Sequence, residues 1–184
     1  MTVAIEREIK LRFDDPGEAR RAILAAGATP LRARRLQEDR LLDTSDEQLR
    51  GKRCVLRIRT ENGKSLMTFK GPVQPGSMKV REEHETVIGD GEVLLRVFEE
   101  LGLHVWFRYE KYREEFSAED IVIALDETPV GTYVEIEGGE HAILAMTRAL
   151  GRSSDDFVLD SYRTLFIRYR QENGLAGSDM VFDA

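Results

Sequence analysis

The stretch "VAIEREIKLRF", residues 3–13, decides the fold. Read at period two, Glu6, Glu8 and Lys10 fall on one side of a strand. Ile5, Ile9, Leu11 and Phe13 fall on the other, with Arg7 among them. One apolar side opposite one polar side is the pattern of a half-buried strand. The polar side carries two acids and a base in a row, so it faces either water or something charged.

The pattern recurs along the chain. Arg57 and Arg59 share a face, Lys70 alternates with Phe69, and Arg81, Glu83 and Glu85 lie on one side of their strand. Lys111 and Arg113 pair up, Asp126 follows the apolar run "IVIAL", and Glu135 and Glu137 alternate with Val134 and Ile136. The strand-like stretches are "VAIEREIKLRF", "RRLQEDRLLDT", "CVLRIRTENG", "SLMTFKGP", "MKVREEHETVI", "VWFRYEKYREEF", "DIVIALDET" and "TYVEIEG". The Asn-Gly of "ENGK" marks a tight hairpin. Helical periodicity appears in "DDPGEARRAILAAGA", "DGEVLLRVFEELGL", "HAILAMTRALG" and "DSYRTLFIRYRQ". In the first of these, Asp14 or Asp15 serves as cap, Pro16 suits the first turn and Gly27 the stop. Strands joined by short links favour an antiparallel sheet, and eight of them can close into a barrel without exposed edges. The expectation from the residues is therefore an α+β fold whose strands form an antiparallel sheet, open or closed into a barrel. Residues 1–172 form a single domain and 173–184 a flexible tail.

An ordinary small barrel turns its apolar sides inward and its charges to solvent. Two features argue for the inverse. The amphipathic helices need an apolar surface to cover, and the outside of the sheet would supply it. The strand-face charges are also of both signs and match in number, which suits a shared interior. There they must pair, bind a metal or bind an anion, because an unpaired buried ion costs several kcal/mol. Mg²⁺ and Mn²⁺ prefer carboxylate oxygens, and phosphates prefer arginine forks and lysine ammoniums. A polyphosphate with its cations satisfies both sets.

The chain has 184 residues, with 41% hydrophobic and 33% charged residues and a net charge of −7. That length suits one domain with a sizeable core. The acidic balance argues against broad attraction to nucleic acid polymers or anionic membranes. No apolar run approaches a membrane span, and the N-terminal segment lacks the apolar run of a secretory signal. Cys54, the only cysteine, rules out a disulfide framework within the chain and reads as a small core residue. A cytoplasmic location is expected. His84, His104 and His141 show no metal-ligand spacing.

The ordered series "EREIK", "QEDRLLD", "LRIR", "TFKGP", "KVREEHE", "EKYR", "ALDETPVGTYVEIEG" and "SYRTLF" resembles the CYTH, or triphosphate tunnel metalloenzyme, family from about Ile5 to Phe166. It is most similar to bacterial class IV adenylate cyclase-like members. The family also includes thiamine triphosphatases and inorganic triphosphatases. The resemblance implies an eight-stranded antiparallel closed β-barrel with helices packed on the outside and charged side chains inside, holding a triphosphate with one or two Mg²⁺ or Mn²⁺ ions. It implies metal-side acids at Glu6, Glu8, Asp126, Glu135 and Glu137. It implies a phosphate-side lining of Lys10, Arg57, Arg59, Lys70, Arg81 and Arg113, with Lys111, Glu83 and Glu85 as further tunnel groups. Asp39 and Asp43 match an acidic pair that is either functional or structural, and Arg163 or Arg168 would supply a C-terminal cation. The implied partner is ATP, thiamine triphosphate or tripolyphosphate, and a homodimer is compatible with the family. The implied reactions are hydrolysis, in which water attacks the terminal phosphorus, and cyclisation, in which a ribose hydroxyl attacks the α-phosphorus. Two other readings share the lining: a non-catalytic polyphosphate or nucleotide sensor, and an acidic barrel for protein interaction.

Overall fold

The computed structural model describes residues 5–182. Val3 and Ala4 of the opening stretch, and Asp183 and Ala184 of the expected tail, lie outside the described residues. The strands are β1 (Ile5–Phe13), β2 (Thr29–Thr44), β3 (Val55–Glu61), β4 (Lys64–Lys70), β5 (Lys79–Ile88), β6 (Leu103–Ala118), β7 (Ile121–Thr128) and β8 (Gly131–Gly138). The helices are α1 (Pro16–Ala25), α2 (Gln48–Gly51), α3 (Gly91–Glu100), α4 (Glu140–Ala149) and α5 (Tyr162–Asn173). The strands close into a barrel in the order β1-β5-β4-β3-β2-β6-β7-β8, and every pairing is antiparallel.

Local chemistry explains the punctuation. The Asp15 carboxylate accepts from the Glu18 amide at 2.9 Å and Pro16 opens α1, while Asp90 accepts from Val93 at 3.0 Å at the start of α3. Asn62 and Gly63 both take positive φ, 49° and 72°, as a tight β3–β4 turn requires. Gly91 is fixed by space, since a Cβ there would lie 2.5 Å from Ser65 Oγ where α3 meets β4.

The apolar strand sides face outward beneath α1 and α4. Ile9, Leu11 and Phe13 of β1, Ile121, Ile123 and Leu125 of β7, and Val134 and Ile136 of β8 form one core with Ala19 and Ile23 of α1 and Ile143 and Met146 of α4. All are buried. Burying each large aliphatic side chain contributes about 1.5–3 kcal/mol, so this outer core holds the inverted barrel together. Helix α3 packs against β3, β4 and β6.

A second core sits at one end of the barrel. There the inward positions change from ionic to aromatic, with Leu41 of β2 and Phe107 and Tyr109 of β6 packing against Tyr162 and Phe166 of α5. Strand β6 outruns β7, whose last residue in the ladder, Thr128, pairs with Gly131 of β8. Residues 179–182 run along the stretch of β6 that β7 leaves open. Met180 donates its amide to the Arg108 carbonyl at 3.0 Å and accepts from the Glu110 amide at 2.8 Å, and its side chain is buried in the aromatic core. The Asp179 carboxylate and the Phe182 ring meet the same strand at Arg108 and Tyr112. An open strand edge is thereby paired.

Candidate active site in the barrel

Alternation puts the ionic strand sides inside the closed sheet, around a cavity of about 950 Å³. Of the expected metal-side acids and the Lys and Arg lining, all but Asp126 line it: Glu6, Glu8 and Lys10 of β1, Arg57 and Arg59 of β3, Lys70 of β4, Arg81 of β5, Lys111 and Arg113 of β6, and Glu135 and Glu137 of β8. Glu83 and Glu85 line it as well. The register explains the grouping, because Glu8 stands opposite Glu137 and Lys79, Lys10 opposite Glu135, and Glu6 opposite Arg81.

Asp126 stands fully buried behind the cavity wall. Its carboxylate accepts from Arg113 Nε at 2.6 Å and Nη2 at 2.5 Å, from Lys111 Nζ at 2.8 Å and from the Tyr162 hydroxyl at 2.6 Å. Arg113 also reaches Glu135, whose carboxylate lies 3.3 Å from Lys10 Nζ. Lys111 shares this crowd of cations. Burial and the Arg113 charge bring its pKa down to about 8. Burial also disfavours charge on Lys10, but Glu135 and Glu8 outweigh it and raise that pKa.

On the opposite wall Lys70 Nζ lies 2.7 Å from Glu6 and 2.8 Å from Glu83, and Arg81 Nε lies 3.3 Å from Glu6. Arg57 and Arg59 converge on Asp39, which is buried beside them. Arg59 binds it through two nitrogens at 2.9 and 3.1 Å, and Arg57 Nε lies at 3.3 Å. Burial alone would raise the Asp39 carboxyl, yet Arg59 and Arg57 outweigh it and hold the pKa below 3.8. Asp43, the other acid of that pair, accepts from the Thr44, Leu49 and Arg50 amides and from Arg50 Nε, so it pins the loop around α2.

Glu137 differs from its neighbours. Among the described residues it has no ion-pair or hydrogen-bond partner, although its carboxylate stands inside the barrel where water can reach it. Burial first, then the charges of Glu6 and Glu83, push its pKa up to about 7. This tests whether a cation suits the site. Glu6, Glu8, Glu135 and Glu137 are hard oxygen donors with excess negative charge around Glu137, which fits Mg²⁺ or Mn²⁺. Among the described residues no three His, Cys, Asp or Glu side chains converge as a metal cluster. Lysines instead hold Glu6 and Glu8, so side-chain rotation would accompany cation binding.

The sequence reading missed Lys79, whose Nζ lies 3.3 Å from Glu8. Extending the Arg81-Glu83-Glu85 alternation back by one step would have found it. It also missed Tyr162, which the "SYRTLF" stretch holds within a helix. Of the two arginines there, Arg163 lines the cavity, whereas Arg168 lies outside it and binds Asp160 at 2.9 Å.

A closed antiparallel barrel with ions turned inward and helices on its apolar outside defines the class. The CYTH domain model matches residues 4–162, and the chain belongs to the CYTH family. A Methanocaldococcus jannaschii protein named "Putative adenylate cyclase" is 30% identical over 172 residues, covering 88% of this chain and 98% of that protein. The structure of a Vibrio parahaemolyticus protein, also called a "putative adenylate cyclase", superposes with a TM-score of 0.76 at 20% identity, covering 90% and 99% of the two chains. A Hippeastrum protein, described as a "Putative adenylyl cyclase" that reveals a dominant triphosphatase activity, superposes with a TM-score of 0.64 at 21% identity, covering 91% and 96%. At these identities the two structures bear on the fold. None of the described helices is long and apolar enough to cross a membrane.

Proposed function

We propose that the protein is a divalent-cation-dependent enzyme acting on small triphosphates inside the barrel, by hydrolysis or by cyclisation with release of pyrophosphate. The observation that carries this reading is the pairing, in one enclosed space, of a carboxylate group around the unpartnered Glu137 with a cation wall around Lys111 and Arg113. Family membership and the names of the relatives support it. In this reading Glu6, Glu8, Glu135 and Glu137 hold one or two Mg²⁺ or Mn²⁺ ions. The bound ions would supply Lewis-acid charge neutralisation on the phosphate oxygens. Lys10, Lys70, Lys79, Arg57, Arg59, Arg81, Lys111 and Arg113 clamp the phosphate chain and stabilise charge as it develops in the transition state. Asp126 sits behind the wall, so its part is to aim Lys111 and Arg113, and the metal side passes to the four glutamates.

Water and a ribose hydroxyl are alternative nucleophiles for the same clamp, and the difference lies in where the substrate rests along it. Incubating the protein with ATP, thiamine triphosphate and tripolyphosphate, each with Mg²⁺ or Mn²⁺, separates the cases. Orthophosphate assigns a hydrolase and cyclic AMP a cyclase. Tight binding without product assigns a sensor and overturns the enzymatic reading.

A further inference from the structure

The cavity is larger than a clamp for three phosphates needs, being near the upper end of small-molecule pockets, which run to about 1,000 Å³. Its extra wall lies at the α5 end and has a different chemistry. It carries Val55, Phe107 and Trp106 together with Arg50, Arg53 and Arg163.

Three features show that this wall is built rather than incidental. First, β2 and β6 slip register there. Leu41 pairs with Phe107 and Leu42 with Val105, so Trp106 is the extra residue of a β-bulge. A bulge re-aims a side chain that regular alternation would send elsewhere, and here it brings Trp106 to the rim. Second, the Asp43 carboxylate fixes the α2 loop through three backbone amides, and Arg53 in that loop holds a left-handed conformation with φ 58°. Non-glycine residues seldom adopt this, and it persists where the surroundings impose it. Third, two guanidiniums lie over the Trp106 ring, Arg50 at 4.1 Å and Arg163 at 4.7 Å. Arg50 is bound to Asp43 and Glu47, whereas Arg163 has no carboxylate partner among the described residues. Burial and the Arg50 charge depress the Arg163 pKa, as expected of a cation held beside another cation.

A bare phosphate chain needs no indole at its end, and phosphate chemistry does not account for a bulge that delivers one. Flat guanidiniums stacked with an indole offer planar faces to an uncharged ring, while Arg53 and Arg163, which have no carboxylate partner among the described residues, repel a cationic one. We propose that Trp106, Arg50 and Arg163 form a specificity subsite at the α5 mouth that receives the organic group of the triphosphate, accepts an uncharged planar heterocycle and rejects a positively charged one. The inference rests on the reading of the barrel interior as a triphosphate site. It distinguishes substrates that share the same phosphates. The uncharged base of ATP fits, the cationic thiazolium of thiamine triphosphate does not, and tripolyphosphate leaves the subsite empty.

The test is a comparison of kcat/KM, or of affinity where turnover is slow, for ATP, thiamine triphosphate and tripolyphosphate in the wild type, Trp106→Ala, Arg163→Ala and Arg163→Glu. Circular dichroism and melting temperature report the fold of each variant. The wild type should favour ATP over thiamine triphosphate. Both alanine variants should lower the ratio of ATP to tripolyphosphate by roughly 10-fold, one good stacking contact's worth. Arg163→Glu should raise the ratio of thiamine triphosphate to ATP by roughly 10-fold or more, because it removes a like charge and adds an opposite one. Normal handling of tripolyphosphate with unchanged ratios in Arg163→Ala and Arg163→Glu would overturn the subsite while leaving the tunnel reading intact. Failure of the wild type to bind any of the three would overturn both. Should Trp106→Ala not fold, the two Arg163 variants decide the matter alone.

Discussion

At the scale of single residues, two carboxylates behave in opposite ways because their neighbours differ. Asp39 is enclosed by Arg57 and Arg59. Replacing it with Asn leaves two buried guanidiniums without their counter-charge, so Asp39→Asn should cost about 3–5 kcal/mol in denaturant unfolding. Its folded-state pKa lies below 3.8, so its contribution is present above that pH and is lost as pH falls through the folded value. Glu137 has acids for neighbours, and its pKa is lifted from 4.5 to about 7. The sign is reversed here. The contribution is present below pH 4.5 and is lost as pH rises through about 7. Without added metal, the wild-type melting temperature should therefore fall across that window relative to Glu137→Gln, whose side chain does not titrate. Parallel curves for the two proteins would show that the glutamate is not strained. The same variant, and Glu8→Gln, should keep their fold and lose turnover by roughly 100-fold or more, since even groups that only support metal ligands cost 10–100-fold when removed.

At the scale of elements, each strand works on both of its faces. Ile136 of β8 faces the outer core while Glu135 and Glu137 face the cavity. Ile136→Ala should cost about 2–5 kcal/mol through the void it leaves, measured by chemical unfolding, with metal-dependent substrate preference unchanged. The C-terminal segment offers a similar test. Met180 is buried and its backbone completes the edge of β6, so Met180→Ala should lower stability by a comparable amount, whereas an undocked tail would leave unfolding unaffected.

The strand faces were legible in the sequence because period-two alternation is a local property, and "EREIK" and "YVEIE" display it without reference to anything distant. The helix cap at Asp15 and the Asn62-Gly63 turn are local too. Asp126 was harder to read. Whether a carboxylate faces the cavity or stands behind it depends on Tyr162 reaching it from a helix 36 positions away, which no spacing rule reveals. Trp106 was invisible as a rim residue because strict alternation sends it outward, and only the register slip with β2 turns it.

At the scale of the whole molecule, the arrangement inverts the usual economy of a small barrel. Oily surface is covered from outside by α1 and α4, and ions crowd the interior, where each must find a partner. Most do so with one another, and the surplus of carboxylate around Glu6, Glu8, Glu83 and Glu137 is what a cation would relieve. Tripolyphosphate with Mg²⁺ should accordingly raise the melting temperature more than either alone, since a ligand bound only by the native state stabilises it by mass action. The most direct measurement is a crystal structure with Mn²⁺ and tripolyphosphate, phased so that manganese is located by its anomalous signal. Manganese should lie inside the barrel, between the phosphates and carboxylates among Glu6, Glu8, Glu135 and Glu137, with Lys111 and Arg113 on the phosphate oxygens. Manganese and phosphate found only on the outer surface, with the interior ion pairs undisturbed, would contradict this placement.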